Sequence, residues 1–153
     1  MVNFCLAYQI KKLCYVSSIA ALGDLKASEM MVTEETEWNP EIAHSDYAIS
    51  KYGAEMEVWR GQQEGLSVAI VNPGVILGPG FWDSGSGLLF TQIAKGLPFY
   101  TKGISGFVAV TDVVKSMIQS MESENSGSRF IVVAENISYE TIVKTIAAAL
   151  KVK

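Results

Sequence analysis

Tyr47 and Lys51 stand four residues apart in a stretch that reads as a helix. That spacing puts both side chains on one face, with Cβ atoms about 5–6 Å apart. An ammonium so placed favours the phenolate form of its neighbour. A tyrosine tuned in this way can give or take a proton on a substrate oxygen. Ser18 follows a short apolar run, Leu13-Cys14-Tyr15-Val16, at the strand end where catalytic residues of open α/β sheets collect. Its hydroxyl is suited to hold the same oxygen. The tyrosine–lysine spacing is a weak motif by itself. Tyr8 and Lys12 repeat it in the segment before the strand, with no serine-ended strand ahead of them, and read as a decoy.

These groups need elements to position them. Apolar residues recur at helical spacing over 2–10, and Leu13–Val16 reads as a strand buried on both faces. A long loop with polar punctuation fills 19–45. The longest helix is expected over 46–64, with Ile49, Tyr52, Gly53, Met56 and Trp59 forming one stripe and Gly65 ending it. A second strand, 67–71, stops at Asn72-Pro73-Gly74, and a glycine-rich loop follows. A short helix over 88–96, a strand over 107–110, a helix from Thr111 to about Glu122 with Asp112 in its first turn, and a strand over 129–134 complete the pattern. Ser138 caps a last helix running to Leu150. Apolar strands separated by helices indicate an α/β fold with a doubly wound parallel sheet covered on both faces. Such a sheet needs at least one more βαβ unit than the chain supplies. The chain is therefore expected to be a fragment, a single partial domain over 1–153 whose front half is missing.

Composition removes several classes of function. With 153 residues there is room for one domain. A hydrophobic share of 49% is too high for a disordered chain. A net charge of -4 argues against a nucleic-acid partner, which needs a basic face. Cys5 and Cys14 make no disulfide framework and no zinc spacing, and read as small core residues. One histidine, His44, is too few for a His-based metal site or a Ser-His-Asp triad. No apolar run spans a bilayer, and Lys11 and Lys12 follow the apolar start instead of preceding it, unlike a signal peptide. The expected setting is cytoplasmic, with no membrane partner. His44 is expected exposed, Glu34, Glu35 and Glu37 a solvated loop, the six methionines mostly core filler, and Asp112 a helix-start charge.

Around Tyr47 and Lys51 the sequence Tyr47-Ala-Ile-Ser50-Lys51-Tyr-Gly-Ala54-Glu55 resembles the active-site helix Y-x-x-S-K-x-x-A-E of the extended short-chain dehydrogenase/reductases, the NAD-dependent epimerase/dehydratase family. Tyr15-Val-Ser-Ser18-Ile-Ala20 is similar to that family's serine-ended strand. Asn72-Pro73-Gly74-Val75-Ile76-Leu77-Gly78-Pro79-Gly80 is similar to its R-P-x-x-V-x-G-P-G segment, and 107–114 to its F-V-x-V-x-D-V segment. The resemblance implies the C-terminal portion of a Rossmann-like sheet, core about 1–75 and 107–134, plus substrate-lobe elements about 76–106 and 135–153. It implies Tyr47 as general acid/base, Lys51 as its partner and ribose ligand, and Ser18 as the group orienting the carbonyl. Pro73, Gly74, Val75 and Ile76 would join Tyr47 and Lys51 in holding NAD or NADP. Trp38, Phe81 and Trp82 sit in loops where they would line a pocket for a small-molecule substrate or cover a core edge.

The glycine-rich G-x-G-x-x-G fingerprint does not occur, and with it goes the residue that would select NAD over NADP. This chain alone is therefore expected to be inactive. Glu35, Trp38 and Tyr47 together look like the arrangement of dihydroflavonol-reductase-like enzymes, and Asn72 before Pro73 suits reductases better than epimerases. The expectation is an NAD(P)-dependent oxidoreductase that reduces a ketone or oxidises a secondary alcohol by hydride transfer. The alternatives are a nucleotide-sugar epimerase or dehydratase, a non-catalytic cofactor sensor or scaffold, and a truncated product without a stable fold. The family also pairs the two helices at 2–10 and 46–64 with their copies, which implies a homodimer.

Overall fold

The computed structural model describes residues 1–25 and 29–152. It divides into two compact units, Met1–Pro73 with Val114–Val132, and Gly74–Val113 with Val133–Lys153.

The first unit contains α1 (Val2–Ala7), β1 (Leu13–Val16), α2 (Asp46–Gln63), β2 (Val68–Pro73) and β5 (Ser128–Val132). Its strands form a parallel sheet in the order β1-β2-β5, with Leu13 opposite Val68 and Pro73 opposite Val132. Every residue of β2 is buried, as the central strand of a covered sheet requires. Val2, Val58, Leu66, Val68 and Ile70 form the core that joins α1 and α2 to this sheet, with Tyr15 and Trp59 packed against it. β2 runs on through Asn72 and Pro73 instead of stopping before them. Pro73 can close the strand because its last position can go without an N–H.

Two helices differ from expectation. α1 stops at Ala7 because Gln9 turns into the left-handed region (φ 51°) and the Ile10 N–H bonds back to the Cys5 carbonyl at 2.9 Å. On α2 the expected stripe is not the buried face: Ile49, Gly53 and Met56 are exposed, while Ala48, Glu55, Val58 and Gly61 are buried. Small residues decide this contact. A Cβ on Gly61 would lie 2.5 Å from Val2 Cγ1, so the glycine lets α1 close on α2. Five of the six methionines, Met1, Met30, Met31, Met56 and Met121, are exposed, so they do not fill the core.

The open side of β5 is occupied by a loop. The Ile131 N–H donates to Glu34 Oε1 at 2.8 Å, and the Arg129 guanidinium donates to the carbonyls of Glu34 and Thr36. Glu34 is therefore half-buried and built into the sheet's edge, unlike the solvated loop residue expected, while Glu35 and Glu37 are exposed. β1 has no strand on its other side among the described residues.

The second unit holds β3 (Val75–Leu77), α3 (Gly87–Ala94), β4 (Ile104–Ala109), β6 (Glu135–Ser138) and α5 (Tyr139–Leu150). β3 pairs with β4 in parallel and β6 with β4 antiparallel. Ile93, Phe107, Ile142, Val143 and Ile146 form its core. β3 is hidden in the sequence between Gly74 and Gly78, and β6 is short and half polar. α4 (Val110–Glu122) begins one residue before Thr111, so Thr111 is not its cap. Gly74 lies against the Gly106 carbonyl, which a Cβ at position 74 would approach to 2.3 Å.

Two stability outcomes follow. Ser45 Oγ accepts the Ala48 N–H at 3.2 Å at the start of α2. Ser45→Ala is expected to lower unfolding stability by about 1 kcal/mol. Gly74→Ala forces backbone to move and is expected to cost about 1–3 kcal/mol. Urea unfolding followed by circular dichroism measures both.

Candidate active site

Ser18 leaves β1 in extended backbone and caps a single 3-10 turn, Ile19–Ala21, its Oγ accepting the Ala20 N–H at 3.1 Å. The hydroxyl acts there as an acceptor, so its own hydrogen stays available to a second oxygen. Tyr47 lies in the first turn of α2 and is 59% exposed. One turn on, Lys51 points inward. Its Nζ donates to the Val16 carbonyl at 2.9 Å and lies 5.3 Å from the centre of the Tyr15 ring. The N–H groups of Leu13 and Ser17 bond to the carbonyls of Ser67 and Val71 on the β2 side. Alternation along the strand turns the Val16 carbonyl to the opposite edge, where Lys51 satisfies it. The structure thus ties Lys51 to the strand end two residues before Ser18, with Tyr47 one helical turn above.

Beneath this group lies a buried carboxylate. Glu55 is completely buried. Its Oε2 accepts from Asn72 Nδ2 at 2.9 Å, and its Oε1 from Arg129 Nη1 at 3.2 Å and Trp59 Nε1 at 3.3 Å. A buried carboxylate without such partners would be strongly unfavourable; here one cation and two neutral donors surround it. Asn72 Nδ2 also donates to the Ser18 carbonyl at 3.0 Å. Asn72 Oδ1 and Ser17 Oγ are buried without a protein partner. Sequence reasoning misses Arg129 and the joint role of Glu55 and Asn72. The available signals are the place of Glu55 at the end of the Y-x-x-S-K-x-x-A-E match, one turn beyond Lys51, and Asn72 before Pro73; nothing joins either to Arg129.

The other expected site residues are spread more widely. Pro73 closes β2, and Val75 and Ile76 pair with Phe107 and Val108. Trp38 is stacked between His44 and Tyr52, with ring centres 3.8 and 4.3 Å away, and lines a cavity of about 840 Å³ with Tyr52, Met56 and Trp59. His44 is accordingly not exposed as expected. Its Nε2 sits 2.8 Å from the Asn39 carbonyl and 3.5 Å from Asp24 Oδ2. In the second unit Phe81 is 82% exposed, and Trp82 meets Phe90 edge-on at 5.7 Å.

Other chemistries find no support in the described residues. Burial pushes the Cys14 thiol above its ordinary pKa, against a smaller opposing effect of Lys12, which leaves it a poor nucleophile. Lys12 itself is bound to the carbonyls of Ser123 and Asn125, away from Tyr8. No three His, Cys, Asp or Glu side chains among the described residues are grouped to hold a metal. No helix among them is long and apolar enough to cross a membrane.

Comparison with known proteins bears on the same elements. Tetraketide alpha-pyrone reductase 2 of Arabidopsis thaliana is 30% identical over 131 residues, 80% of this chain and 41% of the relative. The chain thus spans about two fifths of the length of the curated relatives it matches. Among solved structures, a nucleoside-diphosphate-sugar epimerase from Pseudomonas aeruginosa superposes on 99% of this chain and 51% of its own, with a TM-score of 0.90 at 21% identity. The UDP-glucose 4-epimerase of Thermus thermophilus, solved with NAD, superposes on 99% of this chain and 52% of its own, with a TM-score of 0.79 at 24% identity. These structures share the Rossmann-like fold described above. The profile of the NAD dependent epimerase/dehydratase family matches residues 1–134, from α1 through β5, and the chain belongs to that family.

Proposed function

We propose that this chain carries the catalytic residues of an NAD(P)-dependent oxidoreductase that reduces a ketone or oxidises a secondary alcohol. The observation that carries the reading is the bond from Lys51 Nζ to the Val16 carbonyl, which sets an ammonium beside the strand end that leads into Ser18. Tyr47, exposed one turn away, is the general acid/base. In the reductive direction its phenol gives a proton to the substrate oxygen. The Lys51 cation stabilises the negative charge left on the phenol oxygen, and the Ser18 hydroxyl donates to the same substrate oxygen. In the oxidative direction the proton returns to Tyr47.

The donor set suits the nicotinamide-ribose end of a dinucleotide. Lys51 uses one N–H on Val16 and keeps two for ribose hydroxyls, and Pro73, Gly74, Val75 and Ile76 would lie along the nicotinamide. The sequence contains no glycine-rich fingerprint for the pyrophosphate, so these residues account for one end of the cofactor only. When bound, the nicotinamide supplies or accepts the hydride. The 30% identical relative is named as a reductase, which favours this reading over a nucleotide-sugar epimerase. Trp38, Phe81 and Trp82 are proposed to contact the substrate. Phe4 and Tyr8 around α1 and Ile49 and Met56 on α2 are exposed apolar groups suited to a homodimer. Two free thiols, Cys5 and Cys14, fit a reducing, cytoplasmic setting.

In a form of the protein that binds a nicotinamide dinucleotide, NAD(P)H oxidation is expected with small ketones and not with a nucleotide-sugar panel. Turnover of nucleotide sugars alone would replace this reading with the epimerase. Tyr47→Phe is expected to lower turnover by about 100- to 10,000-fold with cofactor affinity nearly intact, and unchanged turnover would refute its role. Static light scattering is expected to give twice the chain mass; a monomer removes the dimer.

A further inference from the structure

Among the described residues Glu55 is the one fully buried titratable group, and this mechanism does not use it. We propose that it is the positioning residue of the site: its carboxylate fixes the rotation of α2, which carries Tyr47 and Lys51, and through Asn72 holds the main chain of Ser18. The proposal rests on the assignment of those three residues as the reacting set.

The geometry of α2 supplies the first part. Tyr47, Lys51 and Glu55 follow one another at four-residue steps, so they descend one side of the helix. Glu55 is the lowest of the three and the only one enclosed. Rotating α2 by one residue's worth, about 100°, would drag the carboxylate out of its donors and swing Tyr47 and Lys51 away from the end of β1. The packing of Ala48, Val58 and Gly61 holds the same face of α2 down, and the carboxylate adds bonds of fixed direction to it.

The second part follows from the hydrogen bonds. The carboxylate has two branches. Oε1 faces the scaffold, meeting Trp59 and Arg129. Arg129 is itself held, its Nε donating to the Glu34 carbonyl at 2.8 Å, so the cation is fixed before it meets the acid. Oε2 faces the site through Asn72. Both hydrogens of Nδ2 are engaged, one on Glu55 and one on the Ser18 carbonyl. A reversed amide would set its oxygen against two acceptors, so the amide has one orientation. Asn72 is then a rigid spacer of fixed direction between the carboxylate and the serine. The Ala21 N–H bonds the same Ser18 carbonyl at 3.0 Å, which ties the 3-10 turn into the arrangement.

The branches can be separated experimentally. Asn72→Ala cuts the link to Ser18 and leaves Glu55 with Arg129. Glu55→Gln keeps the shape and removes the charge. Lys12→Met is the control: it frees the far end of β1 from Ser123 and Asn125 and touches nothing near the site. Amide exchange by NMR on this chain is read as the rate at Ala21 relative to Gly127, whose N–H bonds Val68 at the other end of β2. That ratio is expected to rise about tenfold or more in Asn72→Ala and Glu55→Gln and to stay unchanged in Lys12→Met. In the cofactor-binding form, kcat with a small ketone that the unsubstituted protein reduces is expected to fall about 10- to 100-fold while KM for NAD(P)H stays within about twofold.

An unchanged Ala21/Gly127 ratio in folded Asn72→Ala overturns the proposal, and so does an equal kcat loss in Lys12→Met at an equal loss of melting temperature. Should Glu55→Gln not fold, Asn72→Ala decides alone. Full turnover in Tyr47→Phe would remove the catalytic assignment, and the exchange ratio would still decide whether Glu55 and Asn72 hold Ser18.

Discussion

A carboxylate with no solvent exposure must find its compensation inside the protein. Glu55 draws that compensation from three elements: Arg129 on β5, Asn72 on β2, and Trp59 on its own helix. The sheet order β1-β2-β5 and the seating of α2 therefore depend on one another. Removing one member of such a buried pair typically costs about 3–5 kcal/mol, because the other is left stranded, although the intact pair contributes less than that to net stability. Its value lies in direction. The apolar core of Val58, Leu66, Val68 and Ile70 holds α2 down; the carboxylate adds bonds with direction to that packing.

The second unit is organised on a different principle. Its core is apolar throughout, with the rings of Phe107 and Tyr139 meeting edge-on at 5.5 Å. Backbone proximity takes the place of ionic direction. Gly74 comes against the Gly106 carbonyl, and Gly106 against the Val133 side chain. Glycines at such sites exchange conformational entropy for contact that no larger residue allows.

Much of the fold was legible because it is written in periodicity. The strands β1 and β2 read as unbroken apolar runs, although only β2 is buried throughout and β1, expected to be buried on both faces, is half-buried because no described strand covers its outer edge; the caps Ser138 and Gly65 marked helix ends by well-defined chemistry. β6 escaped because Glu135-Asn136-Ile137-Ser138 is short and only half apolar, and β3 because three residues between glycines give too little pattern. The face of α2 was misread for a physical reason: the largest apolar residues, Ile49 and Met56, are not the ones buried, and a charged residue is. Pattern reading assumes that acids face water. The placing of Tyr47 and Lys51 one turn apart on a single helix, and of Ser18 just past the end of β1, was legible from spacing and strand position. Arg129 lies 74 residues from Glu55 in sequence, and no local signal joins them. His44 and Glu34 were assigned to solvent by composition, and tertiary contacts to Trp38 and to β5 overrode it.

The two borders of the three-stranded sheet are unlike each other. Along β5 the loop bearing Glu34 takes up the Ile131 N–H and lies where another strand would have to dock. Along β1 no strand is paired on the outer side among the described residues, and the Val16 carbonyl is taken up by a side chain. Unsatisfied ladder groups act as a template for further pairing. An approaching strand would therefore meet side-chain and loop groups already seated along β5, and along β1 a flank that no described strand covers.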